Sequence, residues 1–401
     1  MPYERKIIND PVFGFINIPK GLLYDIVRHP LLQRLTRIKQ VGLSSVVYPG
    51  AQHTRFQHSL GAFHLMSEAI TQLASKGNFI FDSEAEAVQA AILLHDIGHG
   101  PFSHVLEDTI VKGVSHEEIS LMLMERMNKE MNGQLSLAIQ IFKDEYPKRF
   151  LHQLVSGQLD MDRLDYLRRD SFYTGVTEGN IGSARIIKML DVADDRLVVE
   201  SKGIYSIENF LTARRLMYWQ VYLHKTSVAY EKMLISTLLR AKELASQGVE
   251  LFASPALRFF LYNDINPTEF YNNPDCLENF IQLDDNDIWT ALKVWSTHTD
   301  KVLSTLSTGM INRNIFKVEI SSEPISEDRK KELTLHISQQ LGITLSEANY
   351  FVSTPSIEKN MYDPADDSID IIYKDGTIKN IAEASDMPVS YTHLTLPTNR
   401  E

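Results

Sequence analysis

The sequence predicts a mainly α-helical protein that ends in a smaller α+β lobe, and two observations point there. Through about the first 245 residues, apolar side chains recur every three or four positions: His58, Ala62, Leu65 and Ala69 share one helix face, and Val88, Ala91, Ile92 and His95 share another. After Gln247 that period gives way to segments interrupted by Pro255, Pro267 and Pro274 and to short alternating runs. A chain of 401 residues is also long for a single core. We therefore expect a helical domain with an N-terminal hairpin over 1–247, an α+β lobe over 248–386 and a separate tail over 387–401.

Taken in order, Ile7 to Ile18 reads as a short hairpin or extended start, with Asn9-Asp10-Pro11 and Gly14 as turn chemistry. Leu31 to Val41 reads as a helix, as does Phe56 to Leu73. Ser83 with Glu86 forms a capping-box pattern that opens a helix running to His95. In Gln158 to Asp170, helical spacing puts Asp162, Tyr166 and Asp170 on one face with Arg163 beside them; the same residues also suit a solvated helix laced with ion pairs. A long helix is expected from Ile207 to Gln247, with Arg214, Arg215, Tyr222, His224 and Lys225 near its middle, able to supply phosphate and base contacts. In the lobe, Phe316 to Ile320 is strand-like, Ser326 to Leu341 is helix-prone, and Ile369 to Ile378 reads as a hairpin turning at Asp375-Gly376. No cluster of ligand or nucleophile types occurs there, so a structural and assembly role is expected. Residues 387–401 resemble translated adaptor DNA, fit nothing before them, and are set aside as non-native.

The chemistry concentrates in Leu94 to His104. His95 and Asp96 are adjacent, and His99 and His104 follow. Imidazole nitrogen with carboxylate oxygen, and no thiolate, suits a divalent ion such as Mn, Fe or Zn at a hydrolytic centre. Gly98 and Gly100 permit a tight exit from the preceding helix, and Pro101 stops it. Of the chain's 13 histidines, His53, His58, His64, His95, His99, His104 and His116 crowd into one segment. His58 or His95 alone reads sooner as a hydrogen-bonded core histidine than as a ligand; together with Asp96 they favour ligation.

Composition narrows the classes. With 40 basic and 52 acidic side chains the net charge is −12, which disfavours a nucleic-acid coat while leaving room for a local basic pocket. No apolar run approaches the roughly 20 residues of a membrane span, and the N-terminus lacks the pattern of a secretory signal. The single cysteine, Cys276, excludes an intrachain disulfide and fits a reducing cytoplasm.

The series His58, His95-Asp96 and Asp162 resembles the H…HD…D metal set of the HD superfamily of phosphohydrolases. The likeness narrows through Lys6 to Pro11, Ile38-Lys39-Gln40, Tyr48-Pro49-Gly50, Arg55 to Ser59, His95 to His104, Asp160 to Asp170 and Tyr222 to Lys225. In this order they resemble the SAM-and-HD-domain dNTP triphosphohydrolases and the bacterial relatives that lack the SAM domain. The likeness is specific over roughly the first 240 residues and fainter beyond, and no SAM-like segment is expected ahead of it.

The resemblance implies an HD-domain helical core in which His58, His95, Asp96 and Asp162 hold a divalent ion (Mn, Fe, Mg, Zn or Ni). It implies that the ion activates water for attack at the α-phosphorus of a dNTP, releasing a deoxynucleoside and triphosphate. It implies that His104 is the general acid, that Glu107 orients it where the family has Asp, that His116 stands near the reacting phosphate and that His99 contacts the α-phosphate. Arg55, Arg163 (a Lys in the family), Arg214 and Lys225 would bind the triphosphate. Tyr166 and Asp170, with Gln40, would hold the sugar 3′-hydroxyl, and Tyr222 would leave no room for a ribose 2′-hydroxyl. Arg214 also reads as a surface ion-pair partner, and Tyr222 as an ordinary core aromatic.

A SAM-domain-bearing member of the family is switched on by guanine nucleotide near the helix that matches Arg28 to Gln40, but Arg28 and Thr36 here replace the guanine-reading residues, with Gln33 kept. A regulatory nucleotide near Lys6, Asn9 and Gln33, of altered specificity, is therefore expected, together with a dimer or tetramer. The alternatives are another HD phosphohydrolase, acting on a nucleoside monophosphate, cyclic dinucleotide or guanosine tetraphosphate, or a nucleotide sensor without turnover.

Overall fold

The structure, a computed structural model, describes residues 5–321, 324–354 and 368–386, with the side chains of Ser103, His104 and Asp108 outside the description; the tail at 387–401 also lies outside it. The fold is mainly helical, as expected. The N-terminal hairpin is β1 (Arg5–Asp10) and β2 (Gly14–Pro19), antiparallel with Ile8 opposite Ile16. Ile16 and Ile18 seat it in the core, while Ile7 and Phe15 remain exposed.

Two short helices, α1 (Leu22–Arg28) and α2 (Pro30–Gln33), lead to the central helix α3 (Arg55–Ser75). Next come α4 (Asp82–Leu94), α5 (Ser103–Thr109), α6 (His116–Glu130), α7 (Ser136–Phe142), α8 (Arg149–Val155), α9 (Met161–Thr174) and α10 (Ser183–Met189). α3 packs against α4 on one side and α9 on the other, through the faces the periodicity marked: Ala62, Leu65, Ala69, Val88, Ala91 and Ile92 are all buried.

A hairpin the periodicity did not mark follows, β3 (Leu190–Ala193) with β4 (Arg196–Glu200). The helices α11 (Ile204–Met217) and α12 (Lys225–Ser246) come next. After them run α13 (Pro255–Tyr262), α14 (Pro267–Asn272), α15 (Pro274–Phe280), α16 (Asp285–Trp295), α17 (Lys301–Asn312), α18 (Glu327–Leu341) and α19 (Leu345–Ala348). The hairpin read at Ile369–Ile378 is β5 (Asp370–Ile372) with β6 (Ile378–Asn380). β5 lies parallel to β4, Ile371 opposite Val199, so the late hairpin extends a four-stranded sheet begun in the middle of the chain.

Local expectations fail where tertiary contacts override them. The helix expected over Leu31–Val41 is cut short: a 3-10 turn over Arg34–Arg37 follows α2, and Ile38 is extended. Arg34 is fully buried and donates to the carbonyls of His99 (2.8 Å) and Leu283 (3.1 Å), while Lys39 pairs with Thr54 instead of continuing a helix. α4 starts earlier than the Ser83–Glu86 pattern implies, because the Glu84 carboxylate accepts the Phe81 N–H at 2.8 Å. The single helix expected over Ile207–Gln247 is interrupted by a π-helical turn at Tyr218–Tyr222, after which His224 caps α12. Phe316–Ile320 is not a strand; it alternates, but no strand among the described residues pairs with it. Pro255, Pro267 and Pro274 do not interrupt helices but begin them, each behind a Ser or Asn cap, since the first helical position needs no N–H.

Candidate metal centre

Three helix ends converge on one point. His58 lies in the first turn of α3, which is fixed by Gln57 accepting the Thr54 N–H at 2.8 Å. His95 caps the C-terminus of α4, and Asp162 lies in the first turn of α9, where Asp160 caps the helix by accepting the Arg163 N–H at 2.7 Å. His58 Nε2 is 3.0 Å from Asp162 Oδ1, His95 Nε2 is 3.4 Å from the same oxygen, and the two Nε2 atoms are 3.3 Å apart. Asp96 closes the group, 3.4 Å from His95 Nε2 and 3.8 Å from His58 Nε2.

Each imidazole has its other nitrogen committed. His58 Nδ1 donates to Asp165 Oδ2 at 2.7 Å, and His95 Nδ1 donates to the Ile92 carbonyl at 2.7 Å. That fixes both tautomers with Nε2 facing the cluster, the arrangement a ligating histidine requires. Two imidazoles and two carboxylates without thiolate fit a hard or borderline divalent ion.

The electrostatics agree. Burial alone would lower the His58 imidazole, yet its bonds to Asp162 and Asp165 hold it up to about 10. Burial would raise Asp162, but His58 and His95 hold it well below the usual carboxylate range. A cluster of this kind, with imidazoles and carboxylates sharing charge in a buried site, could hold a divalent ion in place of those protons.

Close packing enforces this geometry. A Cβ on Gly61 would lie 1.9 Å from Asp165 Oδ1 and 2.1 Å from an Arg169 guanidinium nitrogen, both on fully buried side chains. Gly61→Ala is therefore expected to push Asp165 off His58, lowering both the metal content and the thermal midpoint; metal analysis and a melting curve check it. Gly98 serves the same purpose, since its Cβ would meet the His116 carbonyl at 2.1 Å. The left-handed residue in this turn is Phe102, at φ 50, and not the glycines expected to provide the exit.

A second group adjoins the first. His99 Nε2 is 3.3 Å from Asp96 Oδ1, its ring stacks on His116 with centroids 3.9 Å apart, and His116 Nδ1 donates to Glu107 Oε1 at 3.1 Å. Burial and the nearby Arg55 cation push His99 down to about 3, so it is a neutral imidazole at pH 7, and its Nδ1 is buried without a partner among the described residues. The side chain of His104 lies outside the described residues; its backbone is in the first turn of α5.

Farther along α9, Asp170 is held from both sides: His53 Nε2 is 2.6 Å from Oδ1, and the Tyr222 hydroxyl donates to Oδ2 at 2.6 Å. Tyr166 meets Tyr222 edge-on with centroids 6.1 Å apart. Arg55 donates to Asp96 at 2.7 Å, Arg163 to Asp160, and Arg214 to Gln158 at 2.9 Å. Arg214 is buried, so it is no surface ion-pair partner. Lys225 is exposed at the start of α12. Gln40 Oε1, Arg163 Nε and Arg214 Nε are buried atoms without hydrogen-bond partners among the described residues, consistent with a cleft built to be completed by a polar ligand.

Lys6 and Asn9 are exposed on β1, while the Gln33 amide is used on the Val27 carbonyl at 2.7 Å. Sequence reasoning missed three residues that shape the site. Asp165, one turn after Asp162, carries the spacing of a helical neighbour; His53 belongs to the histidine cluster; Arg34 gave no local signal.

The HD domain model matches residues 55–170, which include the four candidate ligands, and that of the HD associated region matches 181–253. A phosphohydrolase from Bacteroides thetaiotaomicron VPI-5482, known as a crystal structure, is 94% identical with a TM-score of 0.95, over 98% of this chain and 97% of that one. The uncharacterized protein YwfO of Bacillus subtilis is 29% identical over 393 residues, 95% of this chain and 88% of that protein. The deoxynucleoside triphosphate triphosphohydrolase SAMHD1 homolog of Dictyostelium discoideum is 30% identical over 78% of this chain, which spans 60% of that relative's length.

Proposed function

The chain belongs to the HD superfamily of phosphohydrolases, and from that premise we propose that it hydrolyses deoxynucleoside triphosphates to deoxynucleoside and triphosphate. One observation carries the substrate class: Asp170, clamped by His53 and Tyr222 and flanked by Tyr166, forms an acceptor beside an aromatic wall on the same helix as Asp162. Eight residues separate the two carboxylates, about 12 Å along the helix axis, so a phosphate at Asp162 and a sugar at Asp170 are compatible with one nucleotide. The named activity of the Dictyostelium relative supports the same substrate.

His58, His95, Asp96 and Asp162 would hold a divalent ion, which when bound would supply Lewis acidity and lower the pKa of water. The remaining steps belong to side chains. Arg55, Arg163, Arg214 and Lys225 offset the triphosphate charge, guanidinium groups being suited to paired contacts with phosphate oxygens. His99 stands against the α-phosphate, with stacked His116 and its Glu107 partner fixing the ring plane. His104 protonates the leaving 5′ oxygen, and Glu107 orients it. Asp170 and Gln40 bind the 3′-hydroxyl, while the Tyr222 ring occupies the space of a ribose 2′-hydroxyl. We place the enzyme in the cytoplasm as a homo-oligomer, with a regulatory nucleotide at Lys6, Asn9 and Gln33; no helix among the described residues is long and apolar enough to cross a membrane.

Incubating Mn-loaded protein with dNTPs, NTPs, a cyclic dinucleotide and guanosine tetraphosphate tests the substrate class. Turnover of dNTPs well above NTPs is expected, with the difference narrowed in Tyr222→Ala by relief of the clash. Equal cleavage of ATP and dATP by the wild type, or preferred cleavage of either of the other two compounds, would overturn it.

A further inference from the structure

Beneath the metal centre runs a buried chain of alternating charges that ends in the N-terminal hairpin. Asp165 Oδ2, which accepts from His58 Nδ1, also accepts from Arg169 Nε at 2.9 Å, and Asp165 Oδ1 accepts from a second guanidinium nitrogen at 3.0 Å. Arg169 Nη1 donates to Asp10 Oδ2 at 2.7 Å. The other oxygen of Asp10 accepts the N–H groups of Val12 and Phe13, both at 2.9 Å, and so closes the β1–β2 turn. Phe13 lies under the guanidinium groups of Arg168 (4.7 Å) and Arg169 (5.6 Å) and beside His64 of α3. Asp165 and Arg169 are 0% exposed and Asp10 is 7% exposed.

We propose that Asp10, Arg169 and Asp165 are positioning residues that tie the turn of the N-terminal hairpin to His58, so that hairpin seating and metal affinity are one coupled property. The physical reason is charge balance. A buried guanidinium is tolerated only with partners, and here it divides its donors between two carboxylates. When the turn leaves and takes Asp10 with it, Arg169 leans wholly on Asp165. The Asp165 oxygen that orients His58 is then drawn toward the guanidinium, and the imidazole loses its fixed plane. By linkage, whatever metal affinity the seated hairpin adds, bound metal returns as hairpin stability. The inference rests on the metal centre and not on the identity of the substrate.

Titrating Mn²⁺ into metal-free full-length protein by calorimetry tests it, with amide hydrogen exchange as a second readout. Asp165→Asn should weaken Mn²⁺ binding about 10- to 100-fold, the usual cost of removing such a partner. Asp10→Asn should weaken it in the same direction by up to about tenfold, and the double variant should bind no worse than Asp165→Asn alone, because Asp10 acts through Asp165. Phe15→Ser, on the exposed side of the hairpin, should bind as wild type. In the wild type, saturating Mn²⁺ should slow exchange at the Val12 and Phe13 amides, a measurement that needs no variant to fold. Unchanged Mn²⁺ affinity in Asp10→Asn, fully additive losses in the double variant, or turn amides indifferent to Mn²⁺ would each overturn the coupling. A wild type that binds no Mn²⁺ would remove the metal centre itself, whereas failure to cleave dNTPs would leave the coupling standing.

Discussion

Replacing Asp96 by Asn is expected to abolish turnover and strip the ion from the protein, and His58→Ala to do the same. Asp96 stands where three demands meet. It faces His95 at 3.4 Å as a proposed ligand, accepts from Arg55 at 2.7 Å, and lies 3.3 Å from His99. The amide keeps the shape but loses the charge, so a divalent ion would give up one anionic ligand and the buried Arg55 would lose one of its anionic contacts. The imidazoles of His95 and His99 are no longer held by one anion, and the two adjoining groups come apart. Metal analysis with a turnover assay checks both variants; full occupancy in both would remove the ligand assignment.

His104→Ala is expected to lower turnover by about 10²–10⁴, the usual contribution of a positioned acid, while sparing metal content. The residue is proposed to protonate the 5′ oxygen as the phosphorus–oxygen bond breaks, and not to bind the ion. Glu107, which already accepts from His116 at 3.1 Å, should give a milder loss as Glu107→Gln and shift a limb of the pH–rate profile. An activated aryl phosphodiester sharpens the test, because its leaving group needs no proton. His104→Ala should cleave that substrate almost as well as wild type. Equal slowing of activated and natural substrates, or loss of metal from His104→Ala, would end the acid role.

Much of this molecule is legible in the sequence, because the period of a helix and the chemistry of a ligand are both local. The faces of α3 and α4, the two hairpins at Ile7–Ile18 and Ile369–Ile378, and the helix capped by Ser326 all follow from spacing and turn residues. The histidine and aspartate pattern likewise pointed to the helix ends that converge. What escaped depends on partners far along the chain. Arg34 ends a helix by donating to carbonyls more than 60 residues away, at Ile97 and His99, and at Leu283. β3 and β4 are too short to show a period, and their sheet is completed by a strand at Asp370–Ile372. The π-helical turn at Tyr218–Tyr222 leaves a helical composition unchanged while re-aiming Tyr222 at Asp170. Asp165 carries nothing in its sequence context to set it apart from its acidic neighbours; its role comes from being shared by His58 and Arg169.

The central claim, that water attacks the α-phosphorus and expels the deoxynucleoside, is tested most directly by the fate of oxygen. Mn-loaded protein is incubated with a dNTP in ¹⁸O-labelled water, and the products are separated by ion exchange and weighed by mass spectrometry. Equimolar deoxynucleoside and triphosphate are expected, with one labelled oxygen in the triphosphate and none in the nucleoside. Monophosphate with pyrophosphate, or label in the nucleoside hydroxyl, would contradict it.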